Sequence, residues 1–349
     1  MVRIFLFGFF IVINFSCDVE DTTPRLNDIE IGCGSIKALF APEGYIVTHL
    51  GGFDSKQVSD VMDFHFPSRN IGYALLNLKG STRIYKTEDG GVTWFDTGVD
   101  PITSGRYIRF KDDNTGMVPL FGNISLITRD GGRNWIRKGL SFPNGQIKSP
   151  QYGEDGRLYG LQDTTMVVSN DDGSTWEKLY SAPELGSSSG NNFNFTLFED
   201  KVYVNTKESL IYVLSNTGEK IEEINPSLSD RRNFLVLSED TYIAQEFRTT
   251  LRSDDKGQTW DTIFNKTSEI IGFTDPEHGV MLQNIRTTPT DFVETFDLLA
   301  STDNGGRTWE EAEQTTLNAR VEFEKSQKVD DHHYLMLYRN CLLEVYRLN

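Results

Sequence analysis

Seven four-stranded sheets set in a ring, an all-β architecture, is the fold this sequence predicts, on three observations. All five tryptophans (Trp94, Trp135, Trp176, Trp260 and Trp309) close copies of one short motif, as in "YKTEDGGVTWF" from Tyr85 to Phe95. Those copies recur with spacings of 41, 41, 84 and 49, and a decayed copy, "SNTGEKI" from Ser215, falls midway through the 84. Between them lie short β-rich runs such as "RYIRF", "MVPL" and "LIT", bounded by Gly, Asn and Asp and never of helix length. A period near forty residues with about four strands per unit is the mark of β-propeller blades. The last unit, "RVEFEKSQKVDDHHYLMLYRNCLLEVYRL", supplies three strands. An N-terminal strand, "GYIVTHL" from Gly44 to Leu50, is expected to supply the fourth and close the ring, leaving no free edge between first and last blades. Seven blades is the preferred count, and six with an appendage is the alternative.

The motif explains itself as a turn. An Asp two residues before a Gly accepts hydrogen bonds from its own turn, the Gly permits positive φ, and the Trp lays an apolar face over the result. Copies spread around a ring cannot converge on one reacting atom, so their role is structural. The motif resembles the Asp-box, S/T-x-D-x-G-x-T-W, of sialidases, xyloglucan hydrolases, sortilin-type receptors and photosystem II assembly-factor-like propellers. Thr87, Asp89, Gly91, Thr93 and Trp94 match it in full. Ser169, Asp171, Gly173, Thr175 and Trp176 do so too, as do Ser253, Asp255, Gly257, Thr259 and Trp260. In the copy with Asp130 and Trp135, Asn134 replaces the Thr. Before Trp309 the register is read as slipping by one, so that Asp303 or Asn304 fills the acidic place, with Asp303 taken as the structural acid. The resemblance implies the fold and leaves function open.

With 34 basic and 51 acidic residues the formal charge is −17, which excludes nucleic acid and anionic membrane surfaces as general partners. Arg3 and the ten apolar residues "IFLFGFFIVI" (Ile4 to Ile13) read as a signal peptide, too short to span a bilayer. The following "NFSC" resembles a bacterial lipoprotein signal in which Cys17 becomes the lipidated first residue, with Asn14 where an aliphatic residue is usual. The "DVED" after Cys17 resembles the surface-export tethers of Bacteroidetes lipoproteins. The expected division is residues 1–16 as signal peptide, 17–43 as tether and N-terminal segment, and 44–349 as one propeller. That makes an exported monomer, held at the outer membrane through lipid alone. The remaining cysteines, Cys33 and Cys341, either form a disulfide or stay as two buried thiols.

Propeller topology sorts the loops into two faces. Turns between first and second strands, and between third and fourth, share the motif side, and there the acids gather in "KDDN", "GEDG", "FEDK", "SED", "DPEH" and "VDDHH". The opposite side is expected to carry Lys79, Arg106, Lys207, Arg231, Arg232, Arg248, Arg286, Arg320 and Arg339. From these, Arg106, Arg232, Arg248, Arg286 and Arg339, with Glu246, form the candidate ligand site: guanidinium forks suit a carboxylate, sulfate or phosphate. The alternative is surface arginine paired with neighbours such as Asp230 and Glu246. The long loop "QNIRTTPTDFVETFD" (Gln283 to Asp297) lies on the same side.

Catalysis has a weaker footing. Glycoside hydrolysis needs two converging carboxylates, and Asp163, Glu208, Glu246, Asp291 and Glu294 fall in ligand-side loops, but the Arg-Ile-Pro stretch usual in sialidases is missing. Among the histidines, His332 and His333 are read as alternating across a strand, and His49, His65 and His278 stand apart, so no metal or cofactor is expected. The reading is a non-catalytic lipoprotein whose propeller binds a glycan or a protein partner, an anionic one included. A glycoside hydrolase and an assembly factor for a membrane complex are the alternatives.

Overall fold

The computed structural model describes residues 41–53, 58–102, 105–139, 146–185, 195–208, 210–226, 233–245, 249–265, 268–286, 295–312, 323–338 and 341–348. They form seven antiparallel four-stranded sheets. Strand β1 (Tyr45–Gly52) comes first in the chain but belongs to the last blade. Blade 1 holds β2–β5: Asp60–His65, Gly72–Leu78, Ser81–Thr87 and Phe95–Asp96. Blade 2 holds β6–β9: Arg109–Phe110, Gly116–Leu120, Ile124–Thr128 and Ile136–Gly139. Blade 3 holds β10–β13: Lys148–Tyr152, Leu158–Gln162, Thr165–Ser169 and Glu177–Ser181. Blade 4 holds β14–β17: Phe195–Phe198, Lys201–Asn205, Ile211–Ser215 and Lys220–Ile224. Blade 5 holds β18–β21: Asn233–Val236, Tyr242–Gln245, Thr250–Ser253 and Asp261–Phe264. Blade 6 holds β22–β25: Ser268–Phe273, Gly279–Arg286, Thr295–Thr302 and Glu310–Glu311. Blade 7 is β26–β28 (Phe323–Asp330, His333–Tyr338, Cys341–Arg347), with β1 outermost on β28, Tyr45 facing Arg347 and Gly52 facing Cys341. The expected closing strand is therefore present, and six blades is excluded.

The pleat explains why the second strands read as unbroken apolar runs. In "YALL", Tyr73 and Leu75 pack toward blade 2 while Ala74 and Leu76 pack toward blade 7. A strand buried on both faces gains from apolar residues at every position. The buried residues accordingly fall into seven clusters, one for each seam between neighbouring blades. At three seams an aromatic ending the first strand lies over a Gly six residues on. A Cβ on Gly72, Gly116 or Gly279 would sit 2.4, 2.5 or 2.6 Å from Phe66, Phe110 or Phe273.

First strands leave backbone groups facing the axis, and polar side chains from a neighbouring blade cap them. Gln327 takes Phe66 N–H at Oε1 (2.8 Å) and donates from Nε2 to Phe66 O (2.9 Å), across blades 7 and 1. Gln151 Nε2 donates to Phe195 O (2.9 Å), Thr196 Oγ1 to Phe234 O (3.0 Å) and Ser326 Oγ to Ile271 O (2.7 Å). Each bond satisfies an otherwise bare inner edge and ties two blades.

The Asp-box turns join third to fourth strands. Thr87 Oγ1 donates to Asp89 Oδ1 (2.7 Å) and accepts from Gly91 N–H (2.9 Å). Asp89 also accepts from Thr93 N–H (2.8 Å) and Thr93 Oγ1 (2.5 Å), and Trp94 Nε1 donates to Gly91 O (2.9 Å). The same set recurs around Asp130, Asp171 and Asp255. Bonds from the Thr259 hydroxyl and then its N–H hold Asp255 down at about 2. Around Ser215 the decayed copy keeps two elements: its Oγ accepts from Glu219 N–H (3.0 Å) and bonds the hydroxyl of Thr217, which stands in the Asp's place (2.9 Å), in a tighter turn that pairs Leu214 with Lys220.

In the last copy the expectation of Asp303 is corrected. Asn304 holds the turn: its Oδ1 accepts from Thr302 Oγ1 (3.1 Å) and Thr308 N–H (2.9 Å), and its Nδ2 donates to Thr308 Oγ1 (2.6 Å). The register does not slip; an amide stands in the carboxylate's place and reverses one donor, while Asp303 points out to solvent. Trp309 Nε1 is buried and makes no hydrogen bond, unlike the other four indoles.

Asp171→Ala should remove three such bonds in a half-buried turn and cost about 1–2 kcal/mol, read as a shifted urea midpoint, with binding by the folded protein unchanged. A stable Asp171→Ala variant that had lost binding would overturn the structural role.

Cys341 is fully buried at the start of β28 and disulfide-bonded. Its expected partner Cys33, like the lipidation candidate Cys17, lies outside the described residues.

Candidate functional site

The motif turns dock on the turns between first and second strands of the same blade. Gly90 N–H donates to Asn70 O (2.9 Å), Gly131 to Asn114 O (2.9 Å), Lys256 to Asp240 O (3.0 Å) and Gly305 to Glu277 O (2.7 Å). Both kinds of turn therefore share one face, which the acids crowd, and the opposite mouth is left for the remaining loops.

Of the proposed ligand residues, Arg106 is exposed in the connection from β5 to β6. Arg286 ends β23, its backbone opposite Thr295. Arg232, Arg248, Arg339 and Glu246 lie outside the described residues, as do Arg231, Arg320, Asp291 and Glu294. Lys79 forms the tight β3–β4 turn at φ 51°, and Lys207 Nζ donates to Pro183 O (2.9 Å). Asp163 and Glu208 sit in the corresponding turns of blades 3 and 4. The long loop after Gln283 is partly strand, since Gln283 to Arg286 pair with Leu298 to Thr295. His332 lies in the turn before β27 instead of alternating with His333 along a strand.

A charged constellation that the loops did not reveal lies on the first strands of blades 7, 1 and 2. Asp63 of β2 is only 3% exposed. Its Oδ2 accepts from Ile108 N–H (2.9 Å) and Arg109 Nη1 (2.5 Å), and its Oδ1 meets Lys325 Nζ. Arg109 Nη1 also donates to Ile108 O (2.6 Å), and the Lys325 ammonium stands 5.6 Å from the Phe64 ring centre. His65, on the same face of β2 as Asp63, accepts Phe110 N–H at Nδ1 (3.3 Å). The 63/65 pair thus reads the 108/110 pair of the neighbouring blade.

Electrostatics fixes the charge state. Burial pushes Asp63 upward, but Arg109, Lys325 and the Ile108 N–H outweigh it and hold the carboxyl below its ordinary value. Burial first, then the two cations, push His65 down to about 3, so the imidazole is neutral. Lys325 keeps 31% of its side chain exposed. It lies on the first strand of its blade, where desolvation still operates. Burial first, then Arg109, lower it to about 8. At neutral pH two cations meet one carboxylate, an excess of one positive charge. The signal lies in the sequence outside the loops: "DVMDFH", "RYIRF" and "FEKSQKV" set charges inside strands.

No family model and no curated protein matches the chain. Solved structures do. YCF48 bound to a D1 peptide superposes with a TM-score of 0.64 at 17% identity, over 90% of this chain and 100% of that one. YCF48 from Cyanidioschyzon merolae gives 0.57 at 14%, over 87% and 98%. The GH74 xyloglucanase from Xanthomonas campestris gives 0.60 at 14%, over 87% of this chain and 54% of that one. At such identities the likeness is one of fold: a seven-bladed propeller shared by a peptide-bound protein and a glycosidase.

Proposed function

We propose that the chain is a non-catalytic binding propeller for a protein partner, received on the face opposite the Asp-boxes. The observation that carries this reading is the state of its interior carboxylate. Asp63 is tied by three donors and held ionised, so it offers no proton, while the cations around it retain unused donors. With its oxygens taken up by three donors the carboxylate is also a weak base and nucleophile, an arrangement suited to recognition. The solved propeller with a bound peptide, matching this chain over 90% of its length, favours a polypeptide over a glycan. Export and a lipid anchor at Cys17 belong to the same proposal and rest on the N-terminal sequence, as does an assembly role beside a membrane.

Glycoside hydrolysis is the second reading, favoured by the xyloglucanase likeness and by Asp163 and Glu208 in equivalent turns of adjacent blades. One experiment separates them: the purified protein on a peptide array and on a glycan array, with reducing-sugar release measured in parallel. Saturable, salt-sensitive peptide binding without sugar release is expected. Sugar release abolished by Asp163→Asn or Glu208→Gln would overturn the proposal.

A further inference from the structure

We infer that Arg109 and Lys325 form an axial subsite for a carboxylate, the anchoring point of the docking reading above. Arg109 and Lys325 share Asp63 as their one acidic partner among the described residues. Arg109 spends only Nη1, on Asp63 and Ile108 O, which leaves Nε and Nη2 uncommitted; Lys325 spends one of three N–H donors. Neither side chain is sealed in the core, for 14% of Arg109 and 31% of Lys325 stays exposed on first strands, the strands nearest the axis.

Charge balance selects the ligand. With His65 neutral the cluster carries one net positive charge, which a monoanion cancels. A phosphate dianion would leave an excess negative charge beside Asp63. A carboxylate also offers two oxygens, one for the guanidinium edge and one for the ammonium. The Phe64 ring and Asp63 fix the ammonium from two sides, so little ordering remains to be done on binding. The source is either a free carboxylate or the acidic side chain or terminus of a docked peptide.

The test follows the Lys325 side-chain ammonium by NMR in the full chain while acetate, malonate or an acidic peptide is added. A bound carboxylate should raise the pH at which Lys325 titrates, with saturation. Lys325→Gln removes the excess charge, leaves the Arg109–Asp63 pair in place, and should weaken carboxylate binding about ten- to a hundredfold with thermal unfolding little changed. Lys325→Arg should retain it. A Lys325 titration indifferent to all three probes, or unaltered affinity in Lys325→Gln, overturns the subsite. If acetate shifts Lys325 and no peptide binds, the subsite stands and the docking reading falls. Tight peptide binding untouched by Lys325→Gln gives the reverse.

Discussion

Asp63→Ala is expected to destabilise the ring by about 3 kcal/mol. Removing the carboxylate leaves Arg109 of blade 2 and Lys325 of blade 7 as uncompensated cations on either side of blade 1, and Ile108 N–H without its acceptor. The lower end of the range for opening a buried pair applies because 31% of the Lys325 side chain is exposed. Chemical denaturation of the variant gives the number. Adding Lys325→Met to Asp63→Ala should recover part of the loss, since one stranded charge disappears with its partner. An Asp63→Ala midpoint indistinguishable from wild type would mean the three charges are held apart in solution.

Acid should weaken the protein well before its carboxylates titrate. His65 is held near 3 when folded and returns to about 6.5 when unfolded. Its folded value is depressed, so its stabilising contribution is complete above pH 6.5 and is lost as pH falls toward 3. Between pH 6.5 and 4 the loss amounts to roughly 3 kcal/mol. Protonation would require a charge beside Arg109 and Lys325 and would break the bond from Phe110 N–H. His65→Gln, which can accept that bond through Oε1, should flatten most of the slope in this window. A residual slope is expected from His49, which burial pushes the same way. Equal slopes for wild type and His65→Gln would show that His65 meets protons freely.

What could be read in the sequence was the part written locally. An Asp-box closes within eight residues, its bonds run from i to i+4, and its recurrence marked six of the seven blades, the decayed copy at Ser215 included. Asp303 is the wrong choice over Asn304 because an amide can stand in for a carboxylate in that turn without changing the fold. The face of each turn was also legible, since strand alternation dictates it. The axial cluster was not, because Asp63 meets Arg109 and Lys325 only once the ring has brought together strands remote in sequence. Loop arginines stand out on charge alone, whereas Asp63, Arg109 and Lys325 pair inside strands. Arg252 makes the same point: buried in β20, it donates to Pro276 O (2.7 Å) and Gly305 O (3.1 Å) and so clamps blade 6.

Strand β1 pairs with β28, the strand farthest from it in the described sequence, and this sets the order in which the ring can be completed. Six blades can form from neighbouring stretches as they become available, but the seventh must wait for β28. Closure is then the contact with the greatest sequence separation, and the slowest to find. The reward comes afterwards. A linear array of repeats unravels from its terminal unit, whereas here both neighbours of every blade are present, and no unit is last.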